Sequence, residues 1–278
     1  MPARRTVRLA LSIAALTGLI GCATARNYDN PAGPILVGPP VAPRHGGGDM
    51  RLVTFNIKFA ERVDRAAALL SRPGPLHDAD VLVLQEMDGA GTESLARALG
   101  LNFVYVPATV HPSSHRDFGV AILSPWAIDD ARKILLPHLH RFKKMRRTAA
   151  VATVLAPSGP VRVYAVHFET PFGASGGARR DQARTIAADA SNWVGPVVVA
   201  GDFNGTAGAD ELQKAGFTWL TRAVHNTFGL FDFDHILVRG LCASAAPPAA
   251  KASDATDASD HVPVWATVKS CGTVIPGR

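Results

Sequence analysis

Three runs constrain the fold more than any other feature. Residues 51–57 (RLVTFNI), 81–87 (VLVLQEM) and 197–203 (VVVAGDF) are apolar at nearly every position. A half-exposed strand alternates apolar and polar residues, so a strand apolar on both faces needs cover on both. Residues 103–106, 119–123, 149–155, 161–168, 234–238 and 262–268 read as further strands. The pair 149–155 and 161–168 forms a hairpin turning at Pro157-Ser158-Gly159-Pro160. Residues 61–70 and 91–99 have helical spacing. The longest helix is expected over 177–194, with Ala183, Ile186, Ala187, Ala190 and Val194 on one face. Mixed strand and helix order with hairpins predicts sheets sandwiched between helices rather than one doubly wound sheet. Apolar residues are 47% of the 278 and charged residues 19%, enough for such a core and inconsistent with wholesale disorder. No Pro/Gly/Ser-rich break or solenoid period divides the rest, so one domain is expected over 49–278.

The first residues read as an address. Arg4, Arg5 and Arg8 precede an apolar stretch from Leu9 to Ile20, which ends in Leu19-Ile20-Gly21-Cys22. This is similar to a bacterial lipobox: residues 1–21 are removed as a signal peptide and Cys22 is lipid-modified, placing the protein in the cell envelope, anchored to membrane. An ordinary cleaved signal or a buried helix are the other readings. Removing 1–21 takes away three arginines and no acid, lowering the formal net charge from +6 to +3, so global charge is weak support for nucleic-acid binding. Residues 22–48 are rich in Pro, Gly and Ala without hydrophobic periodicity. They are expected to form a flexible linker between anchor and domain, the alternative being an extension lying on the domain.

The polar residues concentrate where strands end. Thr54-Phe55-Asn56, Leu84-Gln85-Glu86, Val166-His167-Phe168-Glu169, Gly201-Asp202-Phe203-Asn204 and Ser259-Asp260-His261 close or follow apolar runs, and Phe233-Asp234-His235 begins one. Burying such groups is costly unless they are paired or bind an ion, and open α/β folds place ligands at strand ends. The chemistry they suit is phosphoester hydrolysis. Glu86 is a hard oxygen ligand for Mg²⁺ or Mn²⁺, and Asn56 adds a neutral carbonyl or holds phosphate. Asp202 and Asn204 would share one face of a strict strand, with Phe203 on the other. Asp202 then orients water while Asn204 steadies phosphate oxygens. His261 suits a general base with Asp234 fixing its tautomer. His167 suits a donor to non-bridging oxygens.

The ordered set TFNI, LQE, GVAILS, VHFE, GDFN, FDHILV and SDHVPV resembles the endonuclease/exonuclease/phosphatase superfamily, the DNase-I-like fold, over roughly 50–269. The resemblance implies a four-layer α-β-β-α sandwich and metal-dependent phosphodiester or phosphomonoester cleavage. It puts Asn56 and Glu86 at a metal with Asp260 beside it. His167, Asp202 and Asn204 fall at phosphate and water, and Asp234 with His261 supplies the base. Whether Asp202 or His261 activates water stays open. Lys58 stands where some DNA-repair members have an acid, and Arg116 and Asp117 are the nearest candidates for a phosphate-contact motif in the middle of the chain.

Residues 141–147 (RFKKMRR) hold five cations with Phe and Met interleaved, suiting a polyanion, either nucleic acid or an anionic membrane, or else a solvated loop. Arg147, entering the next strand, reads as separate, and Arg179, Arg180 and Arg184 as a solvated helix face. The expected substrate is a phosphodiester, nucleic acid ahead of phospholipid or a small phosphorylated molecule, cleaved by a monomer. A non-catalytic envelope protein is the competing class. Three cysteines exclude a disulfide-dense scaffold. If Asp234 and His261 meet, Cys242 and Cys271 lie eight and ten residues beyond them, similar travel at about 3.3 Å per residue. Export would then let them pair, two unrelated thiols being the alternative.

Overall fold

The computed structural model describes residues 25–43, 48–244, 249–252, 255 and 257–271. The expected signal peptide and Cys22 lie outside the described residues. The chain first lays down β1 (Arg26–Asn27), β2 (Leu36–Val37), β3 (Met50–Asn56), β4 (Val81–Met87), β5 (Asn102–Val110) and β6 (Asp117–Ser124) in one sheet. It then crosses to a second sheet with β7 (Ile128–Leu135), β8 (Thr148–Ala156), β9 (Gly159–His167), β10 (Val197–Asp202), β11 (Thr218–Trp219) and β12 (Asp234–Arg239). It returns to the first with β13 (Leu241–Ala243), β14 (Ala249–Lys251) and β15 (Val264–Ser270). The first sheet runs β1-β5-β6-β4-β3-β15-β13, with β2 also on β5 and β14 also on β15. The second runs β11-β12-β10-β9-β8-β7.

Period-two alternation sorts the apolar strands into layers. Leu52, Val81 and Val83 face inward and meet Ala150, Ala152, Val163, Ala165, Val198 and Ala200 of the second sheet. Their neighbours Val53, Leu82 and Leu84 face outward onto Ala66 and Leu70 of α1 (Val63–Leu70) and Leu95 and Ala96 of α2 (Gly89–Leu99). On the far side Tyr164, Val166, Val197 and Val199 meet Ala183, Ile186 and Ala190 of α3 (Gly176–Ala190) and Ala209 and Leu212 of α4 (Ala207–Lys214). The result is the four-layer α-β-β-α sandwich. Among the described residues every member of the three cores lies within 35–268, and no helix is long and apolar enough to cross a membrane.

Several expectations need correction. α3 stops at Ala190, and Val194 is 98% exposed rather than on the buried face. The chain must turn at Gly195 (φ 140°) to enter β10. β7 has the charged sequence IDDARKIL and no apolar alternation. It survives as an edge strand, where charge on the outer side discourages further pairing. The stretch read as a flexible linker is partly folded onto the domain. β1 pairs with Val110 and Thr109, and β2 with Tyr105 and Val104. Lys133 Nζ reaches the carbonyls of Tyr28 and Gly33, and the Tyr28 hydroxyl donates to Asp117 at 2.7 Å. Single long-range partners hold this strap, so periodicity carries no trace of it. The hairpin turns at Pro157-Ser158 as expected. Cys242 and Cys271 form a disulfide with Cα atoms 5.0 Å apart, stapling β13 to the end of β15.

Candidate active site

Both sheets deliver polar residues to the same end of the sandwich. In the second sheet β9 and β10 are parallel with Asp202 opposite His167, and β10 and β12 are antiparallel with Asp202 opposite Asp234. One rung of three adjacent strands therefore carries His167, Asp202 and Asp234. The first sheet brings Asn56 from the end of β3 and Glu86 from β4, with His261 just before β15. Gly201 permits the close approach beneath the rung: at φ 151° it lies against β9, and a Cβ there would sit 1.9 Å from the Val166 carbonyl oxygen.

Backbone irregularities aim the side chains. Glu86 occupies a β-bulge between Gln85 and Met87 with φ 58°, which turns its carboxylate out of the pleat into the cleft. There Oε2 accepts from the Phe59 N–H at 3.1 Å and Oε1 from the Asn56 amide at 3.3 Å. β10 ends at Asp202, so Asp202 and Asn204 are not partners on a regular strand. Asn204 is left-handed (φ 51°), and its N–H donates to Asp202 Oδ1 at 2.8 Å while its amide donates to the Phe168 carbonyl at 2.9 Å. Asn204 thus holds the turn beneath the site, and Phe203 departs into the helix layer against Phe168 and His235. Ser259 Oγ donates to the Asn56 carbonyl at 2.7 Å and accepts from the His261 N–H at 3.2 Å, tying the turn before β15 to the end of β3.

Asp202 Oδ2 is the centre of the cluster. Asn56 Nδ2 lies 3.0 Å from it, His167 Nε2 3.4 Å and His261 Nε2 3.7 Å. His261 Nδ1 is bonded to Asp234 Oδ2 at 2.8 Å. His167 Nδ1 lies 3.0 Å from Arg147 Nη1. Because a guanidinium can only donate, that nitrogen is the acceptor and the His167 proton sits on Nε2, facing Asp202. Glu169, fully buried, accepts from Arg147 Nη2 at 3.4 Å and from the Thr170 N–H at 2.9 Å.

The electrostatics follow the geometry. Burial pushes His167 well below the usual histidine range, and the charges of Arg147 and His261 push the same way, so it stays neutral. For His261 burial opposes the proton, but Asp234 by charge and hydrogen bond, with Asp202 and Glu86, outweighs it and holds the pKa well above the ordinary value. Burial raises Glu86 against the pull of Arg147 and Asn56. It also raises Asp202, with Asp234 adding to the effect and His261 opposing it. Acids pushed toward protonation beside one another mark a place where added positive charge is stabilising.

Seven of the eight predicted residues thus meet at this end. Asp260 turns to the rim, where its Oδ2 lies 3.6 Å from Lys58 Nζ with both side chains partly exposed, and no hydrogen bond joins it to Glu86. Arg116 pairs with Asp88 and Asp117 with Tyr28. Arg179 is only part-exposed and donates to the Glu169 and Ala174 carbonyls. The Arg147–Glu169 pair behind His167 was hidden in a basic run and a strand end. Phe59, His111 and Phe118, whose rings tilt against one another with centroids 4.8–5.6 Å apart, carry no motif that would single them out. Asp202, Asp234 and His261 also offer ligand atoms within 4.8 Å of one another. Within that trio His261 Nδ1 is already bonded to Asp234 Oδ2.

Comparison with known proteins bears on this arrangement. The profile of the Endonuclease/Exonuclease/phosphatase family matches residues 53–261. Among curated proteins, no sequence matches. An endonuclease/exonuclease/phosphatase from Beutenbergia cavernae DSM 12333 is 20% identical over 83% of this chain and 74% of its own, with a TM-score of 0.66. Sphingomyelinase C from Streptomyces griseocarneus is 19% identical over 80% of this chain and 99% of its own, TM-score 0.60. D. rerio TDP2 complexed with single-strand DNA product is 18% identical over 81% and 100%, TM-score 0.60. At these identities the solved structures establish the shared fold. The profile spans most of the chain, from β3 to the site histidine His261, and the chain belongs to the endonuclease/exonuclease/phosphatase family.

Proposed function

We propose that this protein is a divalent-metal-dependent phosphoesterase that hydrolyses phosphodiester bonds by attack of water, exported to the cell envelope and working as one chain. The observation that carries this reading is the convergence of Asn56, His167 and His261 on Asp202 Oδ2, with Glu86 alongside and Asp234 behind His261. Both sheets of one chain supply these groups, so a single copy suffices. The Glu86 carboxylate fits a hard cation and would hold Mg²⁺, with Mn²⁺ an acceptable substitute. Asn56, whose Nδ2 faces Glu86 and Asp202 and whose Oδ1 accepts from the Lys58 N–H, would have to turn its amide to add a carbonyl oxygen. When bound, the cation would supply electrostatic stabilisation of phosphate charge and offset the acid excess around His261.

The residues divide the remaining work. Asp234 accepts a hydrogen bond from His261 Nδ1–H and fixes its tautomer; Nε2 would be free to receive a proton from water once a bound cation offsets the acids that hold His261 protonated. His167, neutral and protonated on Nε2, donates to non-bridging oxygens as charge builds. Arg147 preserves that tautomer. Asn56 bridges Glu86 and Asp202 and keeps the two carboxylates in register.

The test is hydrolysis of bis(p-nitrophenyl) phosphate with Mg²⁺, with Mn²⁺ and with EDTA. EDTA should abolish turnover. Glu86→Ala and His261→Ala should each lower it by roughly 10²–10⁴-fold, the scale of general acid–base catalysis, with the melting temperature retained. Undiminished turnover in either variant overturns the assignment. No turnover of any phosphoester by the wild type supports the non-catalytic class. Nucleic acid and phospholipid present the same phosphodiester to these groups, so the choice between them rests on the surface around the cleft.

A further inference from the structure

The loops at the site end carry a surface that the catalytic groups do not use. Nine large apolar side chains are exposed among the described residues, and five of them, Leu139, Phe142, Phe172, Leu230 and Phe231, lie on loops at this end. Phe172 and Leu230 are 84% and 86% exposed. The loops lean on the site from two sides. The Arg141 N–H donates to the Gly173 carbonyl at 2.8 Å, joining the loop that bears Leu139 and Phe142 to the one that bears Phe172, which follows His167. Across the cleft Phe231 stacks on Phe233 (5.3 Å between centroids), Phe233 on Phe228, and Phe228 lies 4.6 Å from the His261 ring.

Cations accompany these side chains. Of the five in 141–147, Arg147 is buried behind His167 and Arg146 pairs with Asp29. Arg141, Lys143 and Lys144 are exposed, and no carboxylate among the described residues pairs with them. Arg141 lies over the Phe142 ring at 5.5 Å. The described chain also begins here: the Ala25 N–H donates to the Lys143 carbonyl at 3.0 Å and the Asn27 amide to that of Lys144 at 2.9 Å. Cys22 is three residues upstream, at most about 11 Å of extended chain.

We propose that this end of the molecule docks on an anionic lipid bilayer, with the aromatic and leucine side chains entering the interface and Arg141, Lys143 and Lys144 on the headgroups, so that the site works on phosphodiesters of membrane lipids. Exposed apolar groups rimmed by cations match the two components of interfacial binding. Nucleic acid would use the cations, and unpaired bases could stack on the phenylalanines, but it offers no apolar phase for Leu139 and Leu230. A lipid on Cys22 would be tethered to Ala25, which is bonded to this loop, by at most about 11 Å of chain. The substrate class rests on the phosphoesterase reading above; the docking surface does not.

The test uses the chain from Ala23 onward, which keeps all three cores, with a thermal melt as the folding control. Flotation is measured on vesicles of equal parts phosphatidylcholine and phosphatidylglycerol and on phosphatidylcholine alone, beside a gel shift with single- and double-stranded DNA. The wild type should float with the anionic vesicles. Arg141→Gln/Lys143→Gln/Lys144→Gln should weaken that binding by on the order of a hundredfold, at roughly fivefold per cation. Phe142→Ser/Phe172→Ser should weaken it at least tenfold, and both variants should lower the ratio of phosphatidylglycerol hydrolysis to bis(p-nitrophenyl) phosphate hydrolysis. A wild type that stays unbound on anionic vesicles, or variants that float as well as it does, would overturn the docking surface. So would DNA binding that the cation variant abolishes while flotation is absent. Flotation that depends on the rim in a protein that hydrolyses neither substrate leaves the surface standing and defeats the phosphoesterase reading instead.

Discussion

Replacing His235 with leucine should make the protein more resistant to acid. His235 is 1% exposed on β12, its ring wedged between Trp219 and Phe203 with centroids 4.8 and 5.4 Å away. The Asp232 backbone approaches the ring, but neither nitrogen completes a hydrogen bond. Burial pushes its pKa down to about 4, against the opposing pull of Asp234, Asp232 and Asp210. The unfolded chain takes up the proton near the ordinary value of about 6.5. A depressed folded-state pKa means that the folded state binds fewer protons, so this contribution to stability is fully present above about pH 6.5 and is lost as pH falls toward about 4. At 1.36 kcal/mol per pH unit the loss is about 2 kcal/mol at pH 5 and about 3 kcal/mol at pH 4. Leucine cannot titrate, and it removes a buried polar group that costs about 1–3 kcal/mol, while losing ring contacts worth about 0.5–1.5 kcal/mol. The variant should therefore match or slightly exceed the wild type at pH 7.5 and lead it by about 2 kcal/mol more at pH 5. For a domain of this size that is a widening of roughly 4–8 °C in melting temperature. Urea unfolding of both proteins at half-unit steps from pH 7.5 to 4.5 measures it. Parallel curves, with no widening below pH 6.5, would refute the reasoning, because they would mean that His235 is either solvated or never neutral in the fold.

Other consequences are open to direct measurement. Gly201→Ala forces a methyl against the Val166 carbonyl at an unfavourable φ, so it should destabilise the protein by more than about 3 kcal/mol; a melting temperature within a degree of wild type would contradict the packing of β9 on β10. Cys242→Ser opens a loop of 29 residues and should cost about 2–4 kcal/mol, with reductant producing the same loss in the wild type and none in the variant. Arg147→Met should lower kcat on the soluble diester more than it raises KM, since the guanidinium orders His167 from behind; recovery by Arg147→Lys of the melting temperature but not of kcat would fit the bidentate role toward His167 and Glu169. Cys22→Ser should move the protein from the membrane fraction to the soluble one or leave an unprocessed precursor, and equal fractionation of both forms would dispose of the lipid anchor.

The layers, and most residues of the candidate site, are legible in the amino-acid sequence. Strands apolar on both faces have one stable environment, covered on both, and their interruptions by Asn56, Glu86, His167, Asp202 and Asp234 fall at or next to the termini of such strands. Both facts are local, so they are legible without contacts. Which strand ends become neighbours is set by pairing across the fold. The rung of His167, Asp202 and Asp234 depends on the register of three strands far apart in sequence, and the bulge that turns Glu86 inward depends on pairing with Gly119 and Val120. The spacing of Asn204 from Asp202 is legible in the sequence, but the left-handed turn that also sends its amide to the Phe168 carbonyl is not. Asp260 stands one residue from His261 yet faces Lys58, because the turn before β15 sends the two side chains apart. The N-terminal strap is the clearest case. Its Pro, Gly and Ala have no period to read, and its order comes from a β5 edge, a lysine and a tyrosine contact supplied by residues some eighty to a hundred positions away. Periodicity records what a segment buries on its own, whereas partners reached across the fold leave no mark on the segment that receives them.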